Sequence, residues 1–257
     1  MKNISADQLQ LISSGKVEST SLVEWSTINR YRLLENLLSE LSIMLEEKSR
    51  IECQKVVARD SALKASLYIG QRLNEWISIH EERWRVMSCH RSNIVREWAA
   101  IMVGFSDMKF SRKLAWIKPF ADSDHPKVRD MACFALRHCV VQDPLSCIQS
   151  LIPWTGSRNE HLRRYACEIT RPLGIRTSHI VLLQEQPDLA IGILEPLRAD
   201  DSRYVRNSMV NWLKDVSHSK PDWVRELLLR WSEESGASGV QNISKRVLRI
   251  LKKNDRC

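Results

Sequence analysis

The chain has 257 residues, of which 43% are hydrophobic and 27% charged, enough apolar material for a sizeable core and too much for a disordered polymer. No apolar run is long enough to span a membrane and nothing resembles a signal peptide, so no membrane partner and a cytoplasmic setting are expected. The net charge is +8 and is unevenly placed: residues 1–48 carry 5 basic against 7 acidic groups, 49–199 carry 22 against 16, and 200–257 carry 12 against 8. A positive excess within the folded body suits a polyanionic partner, most commonly nucleic acid.

Helix signals dominate in chain order. Apolar residues recur at three- and four-residue spacing, and Gly and Pro fall at breaks, at Gly15, Gly104, Pro126, Pro144, Pro153, Pro172, Pro187, Pro196 and Pro221. The pattern predicts helices over 5–14, 20–28, 30–47, 49–73, 74–88, 92–104, 110–121, 125–139, 144–152, 159–171, 177–185, 188–197, 202–217, 221–233 and 239–253. Leu33, Leu34, Leu37, Leu38 and Leu41 form one apolar stripe, and residues 1–48 read as a helical cap on the body formed by 49–257. Trp98, Trp154, Trp212 and Trp231 lie on or beside apolar faces and read as core. The seven cysteines contain no CxxC pair and read as free thiols. Cys133, His138 and Cys139 lack the spacing of a tetrahedral zinc site, so no metal or other cofactor is expected.

A short phrase recurs within this helical pattern: Val95-Arg96, Val128-Arg129, Leu162-Arg163 and Val205-Arg206, each followed by a helical run. The arginines are 33, 34 and 43 residues apart, the period of stacked helical hairpins. Acidic turns precede two of them, DSDHP at 122–126 and ADDS at 199–202, as in the second helix of a HEAT repeat. The expected fold is therefore all-α, a right-handed solenoid of HEAT-like repeats in a single domain, with a long concave surface. The four arginines are expected to be structural, paired with acids of neighbouring repeats.

Two polar stripes could carry chemistry. Arg164, Glu168 and Arg171 stand at i, i+4 and i+7, with Leu162, Tyr165, Ala166 and Ile169 on the packing side. Asn207, Asn211 and Asp215 form the next stripe, opposite Val205, Met209, Leu213 and Val216. Such stripes are either solvated faces laced by i,i+4 ion pairs or a site where carboxylates and arginines converge. The last helix places Lys245, Arg249 and Lys252 on one side, a grip for phosphates or simply cations near a helix C-terminus.

The stretches YACEITRPLG (165–174) and ILEPLRADDSRYVRNSMVNWLKDVSHSKPDWV (193–224) resemble the DNA alkylation repair proteins of the AlkC type, relatives of the AlkD HEAT-like-repeat glycosylases. VREWAA (95–100) and WIKPFADSDHPKVRDMA (116–132) extend the resemblance over nearly the whole chain. It implies a DNA glycosylase that releases cationic N-alkylated purines, chiefly 3-methyladenine, from duplex DNA held in a basic concave surface. By motif position, Glu168 corresponds to the family's central catalytic glutamate and Asp215 to its acidic partner. Asp130 falls where relatives carry a glutamate. Arg164, Arg171, Arg176, Arg203 and Asn211 become candidate DNA contacts beside Lys245, Arg249 and Lys252. A bacterial, nucleoid-associated monomer is the implied setting, since a duplex needs an unobstructed face.

The sequence departs from the family pattern at three places. Asp130 is one methylene short, Leu173 replaces a basic residue, and Arg176 replaces a tryptophan placed against the lesion. A guanidinium there would repel a cationic base. Two other readings accordingly stay open: a relative that binds damaged or distorted DNA by shape without chemistry, and a HEAT-repeat protein-interaction scaffold.

Overall fold

The structure, a computed structural model, describes residues 4–77, 81–174 and 177–254. Among them lie sixteen α-helices and no strand. In order these are α1 (Ala6–Ser13), α2 (Leu22–Thr27), α3 (Arg30–Glu40), α4 (Glu47–Arg59), α5 (Ala62–Ile77), α6 (Glu81–Ser88), α7 (Asn93–Phe105) and α8 (Phe110–Ala121). There follow α9 (Pro126–Gln142), α10 (Pro144–Thr155), α11 (Glu160–Ile169), α12 (Val181–Glu185), α13 (Ile191–Leu197), α14 (Arg203–Ser217), α15 (Pro221–Glu234) and α16 (Ser238–Asn254). A 3-10 turn, Pro187–Ala190, precedes α13. The chain forms two units, one of residues 1–108 and 123–135, the other of 109–122 and 136–257.

In the first unit short polar residues start the helices. Ser5, Ser21 and Asn29 cap α1, α2 and α3, and Ser21 and Glu24 form a reciprocal capping box. The leucine stripe of α3 is buried as expected, but the helix stops at Glu40 instead of running to 47. Leu41 N–H and Ile43 N–H return to Leu37 and Leu38 carbonyls at 2.9 and 2.8 Å, and Ser42 takes the left-handed conformation (φ 52°) that ends a helix. The apolar run beyond it shares no face with the stripe, and Met44 is 98% exposed.

The single helix expected over 49–73 is two. Asp60 turns extended at the end of α4, and Ser61 carbonyl accepts the first bond of α5 from Ala65 N–H. Short polar side chains that compete for the backbone favour such a break. Ala65, Ile69, Leu73 and Ile77 then line one buried face of α5. Gly70 permits close approach to α7, since a Cβ there would stand 2.4 Å from Ile101 Cγ2. Gly104, expected as a break, lies inside α7; a Cβ there would stand 2.2 Å from Ala135 O, so close packing is what requires glycine.

A buried polar thread ties the N-terminal helices to α7. Ser19 N–H donates to Asn93 Oδ1 (2.8 Å), Asn93 Nδ2 donates to Glu97 Oε1 (2.9 Å), and Trp25 Nε1 donates to Glu97 Oε2 (2.9 Å). Arg30 lies 4.6 Å over the Trp25 ring and donates to Ser66 Oγ and Trp25 O. Glu97 is completely buried, and desolvation pushes its carboxyl up to about 7 against the pull of Trp25, Asn93, Arg30 and Lys127.

The recurring arginines share one local geometry. Each Nη1 donates back to the carbonyls six and five residues earlier: Arg96 to His90 and Arg91, Arg129 to Ser123 and Asp124, Arg163 to Ser157 and Arg158, Arg206 to Asp200 and Asp201. The turn before each helix is thus closed by the helix's own side chain. Acids join at Arg163 and Arg96. Arg163 meets Asp200 of the next repeat through Nε and Nη2 at 2.6 and 3.0 Å, and Arg96 pairs with Glu18 of the N-terminal segment.

In the second unit Val205, Met209, Leu213 and Val216 of α14 are fully buried, as their spacing requires. Trp212 and Trp231 are core, as is Trp98 in the first unit, while Trp154 is partly exposed and leans on Tyr165. Pro144 and Pro221 open α10 and α15, where a missing N–H costs nothing. α10 runs through Pro153 to Thr155 rather than stopping at 152. α12 begins at Val181 rather than 177, because Ile180 N–H closes the preceding loop onto Pro172 O at 2.9 Å. The six described cysteines are free thiols, and no described helix is long and apolar enough to cross a membrane.

Candidate active site

The site is assembled from the end of α11 and one face of α14, within the second unit. Asn159 caps α11 through His161 N–H (2.8 Å). Leu162, Tyr165, Ala166 and Ile169 bury the packing face, which turns Arg164 and Glu168 to the other side. The helix ends at Ile169, two residues before the Arg171-Pro172 pair whose proline disfavours helical backbone at Arg171. Arg171 therefore leaves the helical register, and its guanidinium crosses to α14.

There it makes a bidentate pair with Asp215, Nε to Oδ2 at 2.9 Å and Nη2 to Oδ1 at 3.1 Å. Its remaining arm, Nη1, donates to Glu168 Oε1 at 2.8 Å. Ser208 of α14 donates its hydroxyl to Glu168 Oε2 at 2.7 Å, and Arg164 Nη2 stands 3.9 Å from the same oxygen. One arginine thus bridges two carboxylates, and each oxygen of the first has a fixed partner. Planar, forked pairing of this kind fixes orientation as well as charge.

The two carboxylates differ in access and titration. The Glu168 side chain is 16% exposed and the Asp215 side chain 6%. Burial is the largest influence on Glu168, but Arg164, Arg171 and the Ser208 hydroxyl outweigh it and hold the carboxyl below its ordinary value. Burial pushes Asp215 upward, against Arg171 and the Leu173 backbone N–H. The same pairing holds the Arg171 guanidinium protonated. Glu168 is consequently an anion that reaches the surface, and Asp215 a buried one that holds Arg171.

The other expected residues are distributed as follows. Asp130 sits on α9 in the first unit, partly exposed, with Lys127 Nζ 3.9 Å from its Oδ2. Arg164 is buried, its guanidinium against the Tyr204 ring at 5.0 Å as well as near Glu168. Arg203 and Asn211 are exposed on α14, and Lys245, Arg249 and Lys252 are exposed on α16, whose Val247 and Leu251 face the core. Arg176 lies outside the described residues. Arg164 and Arg171, read as candidate phosphate contacts, have their guanidiniums turned to internal partners. Ser208 escaped the sequence reading, because its contact is forty residues away from Glu168 in the chain. Among the described residues no group of three or more His, Cys, Asp or Glu side chains could hold a metal ion.

Comparison with known proteins places the chain in a family. Residues 79–241 match the DNA alkylation repair enzyme family. Over 98 residues the chain is 37% identical to the uncharacterized protein YhaZ of Bacillus subtilis (strain 168), a stretch that covers 38% of this chain and 28% of YhaZ. The fold is similar to that of Pseudomonas fluorescens alkylpurine DNA glycosylase AlkC bound to DNA containing an abasic site analogue. The TM-score is 0.67 at 22% identity, over 95% of this chain and 62% of AlkC. It is similar also to AlkD2 from Streptococcus mutans, with TM-score 0.58 and 23% identity over 76% of this chain and 93% of that one. A third likeness is to smu.31 from Streptococcus mutans UA159, with TM-score 0.57 and 24% identity over 72% and 91%. The chain thus spans less than two thirds of the length of AlkC and of YhaZ, and the structural likenesses establish an all-α helical-repeat fold. With well over half of its length matched, the chain belongs to the DNA alkylation repair enzyme family.

Proposed function

We propose that the protein is a DNA glycosylase that releases cationic N-alkylated purines, chiefly 3-methyladenine, from duplex DNA. The observation that carries this reading is the Glu168 carboxylate: ionised, partly exposed, and fixed on both oxygens by Arg171 and Ser208. An N3- or N7-alkylated purine already bears positive charge, so its bond to deoxyribose breaks with little acid assistance. What the protein must supply is a preorganised negative charge for the oxocarbenium-like sugar and a way to orient the attacking water. Each Glu168 oxygen accepts one internal hydrogen bond and keeps a second lone pair for that work.

In this reading Asp215 acts through Arg171 rather than on the sugar, because both its oxygens are held by that guanidinium. Asp130 is proposed to hold water or add to the field. Arg203, Asn211, Lys245, Arg249 and Lys252, all exposed, are proposed to contact DNA, with phosphate neutralisation by the cations giving salt-dependent affinity. Arg176 is included on the resemblance alone. No cofactor is needed, and a monomer suffices.

One observation favours the second reading, in which DNA is bound by shape without chemistry. Glu168 and Asp215 already have arginine partners in Arg164 and Arg171, so much of their charge is met within the protein rather than offered to a cationic base. Single-turnover base release from methylated duplex separates the two. The glycosylase reading expects release of 3-methyladenine by the wild type and a loss of about 10²-fold or more in Glu168→Gln, with DNA affinity unchanged or raised. Intact DNA binding without release would establish the shape-binding reading. Failure to bind duplex at low salt would leave the protein scaffold.

A further inference from the structure

The register of the repeats singles out an arginine that the catalytic reading does not use. Arg171 stands eight residues after the repeat arginine Arg163, and Arg137 stands eight residues after Arg129. Both are buried, and both reach out of their own helical hairpin into the next. Arg171 takes Asp215 there. Arg137 takes backbone on either side of Arg171: Nη1 donates to Ile169 O at 2.6 Å, while Nε and Nη2 converge on Ser178 O at 3.2 and 3.0 Å.

These two carbonyls bracket the turn that delivers Arg171. Ile169 is the last residue of α11, and its carbonyl is among those a helix leaves without an internal partner. Its neighbours are also taken by side chains, Thr170 O by Trp212 Nε1 (3.1 Å), and Ala166 O and Cys167 O by Thr170 Oγ1 (3.0 and 3.1 Å). On the other flank, Ser178 stands two residues before Ile180, whose N–H donates to Pro172 O at 2.9 Å. Leu173, next to Pro172, contributes the backbone N–H that bonds Asp215. A guanidinium with one arm on each flank fixes the direction in which residues 170–173 leave the helix, and so where the Arg171 fork arrives.

We propose that Arg137 is a positioning residue for the Glu168 site, tying the α11 terminus at Ile169 to Ser178 so that Arg171 presents Glu168 in its reactive orientation. The proposal rests on the glycosylase reading for its rate effect and on the structure alone for its effect on the loop. Arg137→Lys keeps a buried cation that reaches one carbonyl and loses the fork that spans two.

The experiment compares the full-length wild type, Arg137→Lys, Glu168→Gln and the double variant in single-turnover release of 3-methyladenine. It is paired with DNA affinity and amide hydrogen exchange at Leu173 and Ile180. Arg137→Lys is expected to bind DNA within about twofold of wild type, to release base roughly tenfold more slowly, and to exchange faster at both amides with α14 unchanged. In the Glu168→Gln background the same substitution is expected to cost less than about twofold, because it acts through Glu168; effects that multiply in full would mark a purely structural role and overturn the proposal. Wild-type release and wild-type loop protection in a folded Arg137→Lys protein would overturn it as well. Should the wild type itself release no base, the glycosylase reading fails separately. The exchange then decides: a protected loop overturns the assignment and a loosened one supports it.

Discussion

The glutamates Glu97 of α7 and Glu168 of α11 invite comparison, because their surroundings are opposite. Glu97 is completely enclosed and receives its bonds from neutral donors, Trp25 and Asn93, with Arg30 and Lys127 acting only through space. Its charge is disfavoured, and its carboxyl titrates near about 7. Glu168 is bonded directly to a cation and a hydroxyl, keeps some access to solvent, and is held ionised. The same functional group is thus a tie in one place and a standing anion in the other. Partner charge, more than burial itself, decides which.

The comparison can be broken most forcefully at Arg171. Arg171→Met should leave Asp215 without its ionic partner in a largely dry environment, and Glu168 with only Ser208 and Arg164, and cost about 3–5 kcal/mol of stability, read by urea unfolding. A loss under about 1 kcal/mol would mean that the bridge does not hold the two helices together. Glu97→Gln should act in the other direction and only with pH. An acid whose folded pKa lies near about 7, above the ordinary 4.5, binds more protons folded than unfolded between those values. The stability it contributes is therefore complete below about pH 4.5 and is lost as the pH rises to about 7. The melting temperature of Glu97→Gln should gain on wild type from pH 5 to 8, with excision unchanged. A constant difference across that range would show that Glu97 is ionised throughout. The smallest effect is expected on α16, where Lys245→Ala should weaken DNA binding uniformly over sequences and reduce the salt slope by about 1. An unchanged slope would remove Lys245 from the interface.

Much of this was legible in the sequence because it is local. Apolar spacing located the faces of α3, α11 and α14, and the recurring arginines marked the repeats. The position of Glu168 and Arg164 on one side of α11 followed from helical geometry. Arg171 was placed with them for a reason that does not hold, since it lies beyond the helix end and reaches the group only by crossing to Asp215. Helix ends were less legible where the stop signal was a single short polar residue, as at Ser61, or a backbone bond, as at Ile43. Ser208, Arg137 and Glu97 could not be singled out, because their partners are brought together by packing rather than by spacing. Only register offered a clue: Glu97 and Asp130 both directly follow a repeat arginine, as Arg137 and Arg171 both stand eight residues after one.

The hook that each repeat arginine makes on its own preceding turn bears on how such a chain can change length. It needs only carbonyls five and six residues behind it, so the hook itself does not fix the distance to the next repeat. The longest interval, the 43 residues from Arg163 to Arg206, contains the short helical segments from Val181 to Leu197, while both hooks stay intact. That interval begins in the helix that carries Glu168, with Arg171 just beyond its end, so the longest spacing of the repeats falls beside the Glu168 cluster.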